Sequence, residues 1–561
     1  MANHYDTITG QTSILNTTSR TVAMKTFVTI FVSLLTIVVL LPATQMICAE
    51  ELSATVTQHV HPVLMRNQHN SLLRITILAE SPFVELRSLT VSLRGTDDHH
   101  DIDAVELFFA GEKGQSSTAM RFGDALRPDG QTVVIGGHAR LNEGENHFWL
   151  SCRLAPTASL DHKVDATCVD IDTSAGHIEP VDRTGSLRKR IGIALRRHYD
   201  DGVHTYRIPA LATTPQNTLL CVYDMRRRSS RDLQEDIDIG LLRSVDGGQT
   251  WEPQRIIMDQ GTVGGRPQEL NGVSDPGLLV DPATGEIFCF AVWMVDKEGK
   301  HQWTADGSEP GFEIGKTAQF LMVRSRDDGQ TWSKPQNMTR AWKQKEWVLF
   351  APSPHQGIAL DDGTLVMPTQ GRNAEGREFS NLLTSDDHGA HWKVSQPASV
   401  GNSECQAVEL GDGSLMLNMR TEHGVKFRTV ATTGDLGQTW TPHVTNRQTL
   451  IEPGCSGSLC RFDFLQNGRD RYVLLFANPY SQTGRDHHSV RVSFDEGVTW
   501  PEENRLLLDE FRGAGYPSLS RIDDTHVGIV YEGSQADLVF ERLSLEELLQ
   551  PGDQATERPG N

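Results

Sequence analysis

Five aspartates recur in one local setting: SVDGGQTW (244–251), SRDDGQTW (325–332), SDDHGAHW (385–392), TGDLGQTW (433–440) and SFDEGVTW (493–500). A carboxylate beside glycine can bind a cation or hold a turn. A calcium loop of the EF-hand kind needs further acidic ligands at regular spacing, and these boxes lack them. The aspartates are therefore expected to accept bonds from nearby backbone N–H groups, with glycine allowing positive φ and tryptophan packing between neighbouring units. That is scaffold rather than chemistry. No CxxC or HExxH occurs, and the doublets His99-His100 and His487-His488 read as surface residues. Neither a metal nor a cofactor is expected.

The boxes stand 81, 60, 48 and 60 residues apart, each step long enough for a four-stranded antiparallel sheet and the longest leaving room for an inserted loop. Apolar strands such as IDIGLLRS and AQFLMVRS precede them, which puts the boxes on hairpin turns. Sheets repeated at such a period make a β-propeller. Residues 190–545 number 356, and roughly 60 per blade predicts six blades, one without a recognisable box. Residues 50–185 differ: FVELRSLTVSL, AVELFFAG, TVVIGG and NHFWLSCRL alternate apolar and polar positions like the strands of a β-sandwich. The expected fold is all-β, a six-bladed β-propeller preceded by a small β-sandwich. In the sandwich only Phe108, Phe109, Phe148 and Trp149 stand out as aromatics, and their alternation suits a core. It is therefore expected to cap the propeller rather than bind carbohydrate. After SLEELL, read as a short helix, residues 551–561 form a polar tail.

The apolar run 27–43, with Lys25 before it and Ala49 closing QMICA, has the pattern of a signal peptide, and Met24 would supply its start. Residues 1–49 are read as a leader, cleaved or retained as an anchor. The protein is thus expected to be exported: periplasmic, cell-surface or secreted, touching membrane only through that leader. A formal charge of −21 argues against a nucleic-acid partner. Seven of the eight cysteines follow the leader; Cys152 with Cys168 and Cys455 with Cys460 could pair, or all could be buried thiols.

YRIPAL at 206–211 precedes the first box. An arginine at a strand start followed by Ile-Pro resembles the FRIP-type motif of bacterial exo-α-sialidases (neuraminidases), with Tyr206 where phenylalanine is commoner. The resemblance continues through the later repeats, and the first unit resembles the β-sandwich found ahead of such catalytic domains. It implies that Arg207, Arg420 and Arg485 form an arginine triad, and that Arg226 and Asp232 of DMRRRSSRD are a substrate-binding arginine and the acid/base. Asp275 of VSDPGLLVD resembles the second pocket aspartate, Glu404 of SECQAVEL the activating glutamate, and Tyr516 of GAGYPSL the nucleophile. Arg491 lies close to Arg485, Asp236 and Asp238 lie close to Asp232, and Pro517 stands where serine or threonine is usual.

The chemistry of such a site is coherent. Arginine forks match a carboxylate and stay charged at any working pH. Sialic acid carries its carboxylate on the anomeric carbon, so an anionic nucleophile would meet repulsion that a phenol avoids. With a free pKa of about 10 the phenol needs a base, the role implied for Glu404. The resemblance therefore implies a retaining hydrolase of sialylated glycoconjugates that needs no protein partner. A trans-sialidase, a non-catalytic sialic-acid-binding propeller and a scaffold for protein partners are the alternatives.

Overall fold

The computed structural model describes residues 52–550 apart from 115–118, 264, 296, 298–299, 301–306 and 467–468. The expected leader and polar tail lie outside the described residues. The described chain is all-β, with only two short α-helices, Thr339–Trp342 and Leu545–Leu549.

Residues 53–182 form two sheets, apart from Val63–Met65 and Lys163–Val164, which pair with Lys189–Arg196. One orders the strands Val181–Asp182, Ser53–Thr57, Asn70–Ala79, Gly144–Leu154, Ile102–Gly111 and Met120–Leu126; the other has four strands, Gly176–Ile178, Thr167–Thr173, Glu85–Ser92 and Thr132–Arg140. Ile75, Leu107 and Phe148 from the first and Leu89, Ile135 and Ile171 from the second are buried in one core. The aromatic alternation divides between two faces, as a period of two requires. Phe109 stacks on fully buried Phe148 at 4.6 Å. Phe108 and Trp149 pair across strands on the opposite, half-buried face, which corrects the expectation that all four rings fill the core.

Six further sheets follow. Each box joins the third and fourth strands of its sheet, as Ser244 to Arg255 does between Ile237–Ser244 and Arg255–Met258. In all five boxes a backbone N–H four residues on donates to the aspartate, for example Thr250 to Asp246 at 2.9 Å and Thr499 to Asp495 at 2.8 Å. The turn needs two left-handed residues. Gly329 is preceded by Asp328 at φ 59°, and Gly437 by Leu436 at φ 54°. Two box tryptophans pack on another sheet: Trp251 meets Phe540 of the sixth at 5.2 Å and Trp392 meets Phe288 of the second at 5.6 Å.

The sixth sheet explains the missing box. Its strands Gly515–Arg521, His526–Glu532 and Leu538–Ser544 take their fourth strand, Lys189–Arg196, from ahead of the first box. No local hairpin exists there to carry one. All seven described cysteines are buried free thiols, so neither Cys152–Cys168 nor Cys455–Cys460 is bonded.

Candidate active site

The first strands of four of the six sheets share one irregularity. Bulges fall between Arg207 and Ala210, Ser274 and Gly277, Asn402 and Cys405, and Gly515 and Ser518. Ile208 (φ 55°), Asp275 (φ 55°) and Tyr516 (φ 47°) are left-handed inside three of them. A bulge re-aims a side chain at the end of a strand, and a left-handed non-glycine residue costs about 1–3 kcal/mol that the surrounding structure must hold. Here bulges of three sheets place Arg207, Glu404 and Tyr516 at one cavity.

That cavity, of about 360 Å³, is lined by Arg207, Arg226, Asp232, Glu404, Arg420, Arg485 and Tyr516. Residues up to 309 positions apart in the chain thus meet (516 − 207). Asp275 does not line it; it is buried behind, its N–H donating to Asp224 at 3.0 Å. Arg491 lies elsewhere, its guanidinium 5.1 Å from the Tyr480 ring, and Asp238 is buried against Arg227.

Glu404 and Arg420 sit on paired strands, and Tyr516 reaches them from the sixth sheet. The tyrosine hydroxyl donates to Glu404 Oε1 at 2.6 Å, while Arg420 Nη1 donates to Glu404 Oε2 at 2.8 Å and to the tyrosine oxygen at 3.2 Å. The guanidiniums of Arg207 and Arg485 lie 5.4 and 5.3 Å from the Tyr516 ring centre. Burial would raise the Glu404 carboxyl, but Arg420 and the tyrosine bond outweigh it and hold the group below its ordinary value. Burial, then the Glu404 charge, pushes the Tyr516 phenol well above 10, so the resting pair is phenol and carboxylate.

Arg207 Nε meets Glu532 at 2.7 Å, and Arg485 donates to the carbonyls of Ala514 and Gly454 at 2.8 and 3.2 Å. Among the described residues neither Nη of Arg207 nor Nη2 of Arg420 has a partner, which leaves donors for an anion. Arg226 is buried; it donates to Asp224 at 3.0 Å and to Asp232 at 2.5 Å. Carboxylate oxygens of Asp224, Asp232 and Asp275 lie within 4.8 Å of one another, and Arg226 already supplies a cation to this group. Burial, followed by Asp232 and Asp224, pushes Asp275 well above its ordinary value, and burial pushes Asp224 up to about 6.

Two residues escaped the sequence reading. Asp224 stands two positions before Arg226 on one strand, so both share a face, a signal present in the motif itself. Glu532 holds the Arg207 Nε and the Ile208 N–H across 324 positions, for which no local signal exists. Ser230, Gln370, Arg372, Glu378, Ser403 and Glu422 complete the wall.

Residues 217–529 match the BNR repeat-like domain, and residues 51–176 match the N-terminal domain of BNR-repeat neuraminidase. The chain is 36% identical to a sialidase of Bacteroides fragilis over 87% of its own length and 94% of that protein's. It is 33% identical to a sialidase of Micromonospora viridifaciens over 59% of this chain and 50% of that one. Among solved structures, Hadza microbial sialidase Hz136 superposes with a TM-score of 0.82 at 36% identity, covering 88% of this chain and 99% of that one. Trypanosoma rangeli sialidase, at 21% identity and a TM-score of 0.53 over 64% of this chain and 60% of that one, shares the fold. The chain belongs to the bacterial BNR-repeat sialidase (neuraminidase) family.

Proposed function

We propose that the protein is an exo-α-sialidase that hydrolyses terminal α-linked sialic acids from glycoproteins, glycolipids and oligosaccharides with retention of configuration. The observation that carries this reading is the Tyr516–Glu404 bond of 2.6 Å in a cavity that also holds Arg207, Arg420 and Arg485. The names of the relatives, sialidases throughout, support it.

The substrate carboxylate pairs with the free donors of Arg207 and Arg420 and with Arg485. Asp232 protonates the glycosidic oxygen while Tyr516 attacks the anomeric carbon and passes its proton to Glu404. The flanking guanidiniums favour the charge that develops on the phenol oxygen. Water then attacks the sialosyl–tyrosine bond, giving its proton to Asp232, and Glu404 returns its proton to Tyr516. Two displacements at one carbon retain its configuration; sialidases are the tyrosine-nucleophile case among glycosidases.

The six sheets of residues 190–545 are read as blades of one propeller, and residues 50–185 as a sandwich domain ahead of it. This is supported by hydrophobic clusters between successive sheets and by the packing of Phe540 in the sixth on Trp251 in the first. Such a closure brings blade ends to one axis, which suits a site assembled from distant loops. The leader is read as an export signal.

The test is release of 4-methylumbelliferone from its α-sialoside between about pH 4 and 8. Turnover that Tyr516→Phe abolishes supports the reading; a folded wild type that releases nothing refutes it. Lactose added as acceptor separates release to water from transfer.

A further inference from the structure

To act as an acid Asp232 must hold its proton near the working pH, yet its nearest surroundings favour the ionised form. Its carboxyl is 39% exposed and takes a bond from the Arg226 guanidinium. Water and an adjacent cation each stabilise the carboxylate. Burial cannot correct this in a group so exposed, so a neighbouring negative charge must.

Asp224 lies on the strand Leu219–Arg226, opposite Arg207 in register and two residues before Arg226. It is fully buried, and both its oxygens are held. Oδ2 accepts from Arg226 Nε at 3.2 Å, from Arg226 Nη2 at 3.0 Å and from the Ser274 hydroxyl at 2.9 Å, while Oδ1 accepts from the Asp275 N–H at 3.0 Å. Donors of this number and charge let a buried carboxylate stay ionised. Burial accordingly raises Asp224 only to about 6, whereas Asp275 is pushed well above its ordinary value and holds a proton. Arg226 Nη2 thus bridges two carboxylates, buried Asp224 and Asp232 at the cavity. The neighbouring charges are matched elsewhere: Arg207 with Glu532 at 2.7 Å, Glu404 with Arg420 at 2.8 Å, and, around the Asp232 loop, Arg227 with Asp238 and Arg231 with Glu235 at 3.8 Å. Among the described residues one guanidinium therefore answers two ionised aspartates, and a proton on Asp232 restores neutrality.

We propose that Asp224 is a positioning residue that makes Asp232 a general acid, its buried charge occupying the Arg226 guanidinium that would otherwise hold Asp232 ionised. The inference rests on the reading of the protein as a sialidase with Asp232 as its acid. Asp224 acts through Arg226 and touches no substrate. The same charge serves both steps of the reaction. It keeps the proton on Asp232 until the glycosidic oxygen takes it. Once that proton has gone, two anions around one cation favour the return of a proton to Asp232 from the attacking water.

The test is the pH profile of kcat/KM for a lactose-linked sialoside, whose leaving group needs the proton, measured on the full chain. Its alkaline limb reports ionisation of the acid in the free enzyme, and its acid limb reports protonation of Glu404. In Asp224→Asn the amide oxygen can serve Arg226 and Ser274 while the nitrogen faces the Asp275 N–H, so the shape stays, one bond is lost and the charge is gone. Arg226 then acts on Asp232 alone, and the alkaline limb should move down by at least about one pH unit with the acid limb in place. On that limb the lactose-linked substrate should lose about tenfold more than the aryl sialoside. Ser274→Ala, which removes one donor from Asp224 and favours its protonation, should move the limb the same way by about half a unit. It decides the matter where thermal melting shows that Asp224→Asn does not fold. Asp275→Asn replaces a group that already holds a proton and should leave the limb in place whatever happens to the plateau. A folded Asp224→Asn with a lower plateau and an unmoved limb, the mark of a merely structural role, overturns the proposal. So does an unmoved limb in Ser274→Ala where Asp224→Asn is unfolded, or a limb that moves as far in Asp275→Asn as in Asp224→Asn. A folded wild type that turns over neither substrate fails the sialidase reading itself, and this inference with it.

Discussion

Glu404→Gln keeps the shape of the side chain and removes its capacity to take a proton. In the native site both carboxylate oxygens are used, one by the Tyr516 hydroxyl at 2.6 Å and one by Arg420 at 2.8 Å. A guanidinium cannot accept a bond, so the amide oxygen must face Arg420 and the amide nitrogen must face Tyr516. The tyrosine then turns from donor to acceptor, and its proton has no base. Loss of a general base costs about 10²- to 10⁴-fold in kcat, or roughly 3–5 kcal/mol of transition-state stabilisation. KM for the aryl sialoside should move little, because the free donors of Arg207 and Arg420 are untouched. The fold should lose only about 1–2 kcal/mol rather than the 3–5 of an orphaned buried charge, since Glu422 remains 3.1 Å from Arg420 Nε. Steady-state kinetics beside a urea titration measure both effects. A folded variant with kcat within about threefold of wild type would refute the assignment of Glu404 as the base.

Asp232→Ala should depend on the leaving group: the aryl sialoside, whose phenol departs without much help, should lose at least about tenfold less in the first chemical step than a lactose-linked sialoside. Equal losses in single-turnover measurements would remove Asp232 from the acid role. Stability should fall on acidification between about pH 6.5 and 4. Buried His355 and His488, the latter buried against the expectation of a surface residue, are each held down to about 4, so the unfolded chain binds their protons first across that window. The stability they confer is complete above the unfolded value and lost as pH falls through the window. Each accounts for at most about 3 kcal/mol. Urea midpoints at pH 7, 5.5 and 4.5 check this; His355→Gln should flatten the slope, and an unchanged slope would contradict it.

The repeat was legible because its chemistry is local: Asp246 needs only the N–H of Thr250 four residues on, and that need is written into eight consecutive positions. The sixth sheet was not, because its fourth strand, Lys189–Arg196, comes from the far end of the repeats and leaves no turn to carry the motif. Within the site, Arg207, Glu404 and Arg420 sit in extended motifs, and Asp224 could have been added from its place two residues before Arg226. Glu532 could not, since its link to Ile208 and Arg207 exists only in the folded chain. Alternation showed that Phe108 and Phe109 face opposite ways but could not say which face is inside when both carry rings. The bulges that aim Asp275 and Tyr516 are equally silent in sequence, for neither residue is a glycine that would announce a left-handed backbone.

The most direct test of the account is the identity of the covalent intermediate. Wild type incubated with a 3-fluorosialosyl fluoride, which forms the glycosyl–enzyme readily and hydrolyses it slowly, should yield one peptide with the added sialosyl mass. Fragmentation should place that mass on the Tyr516 oxygen, and Asp232→Ala should still label while Tyr516→Phe should not. Label on a carboxylate, or turnover of the reagent by a folded wild type with no labelled peptide at any time, would contradict a tyrosine nucleophile.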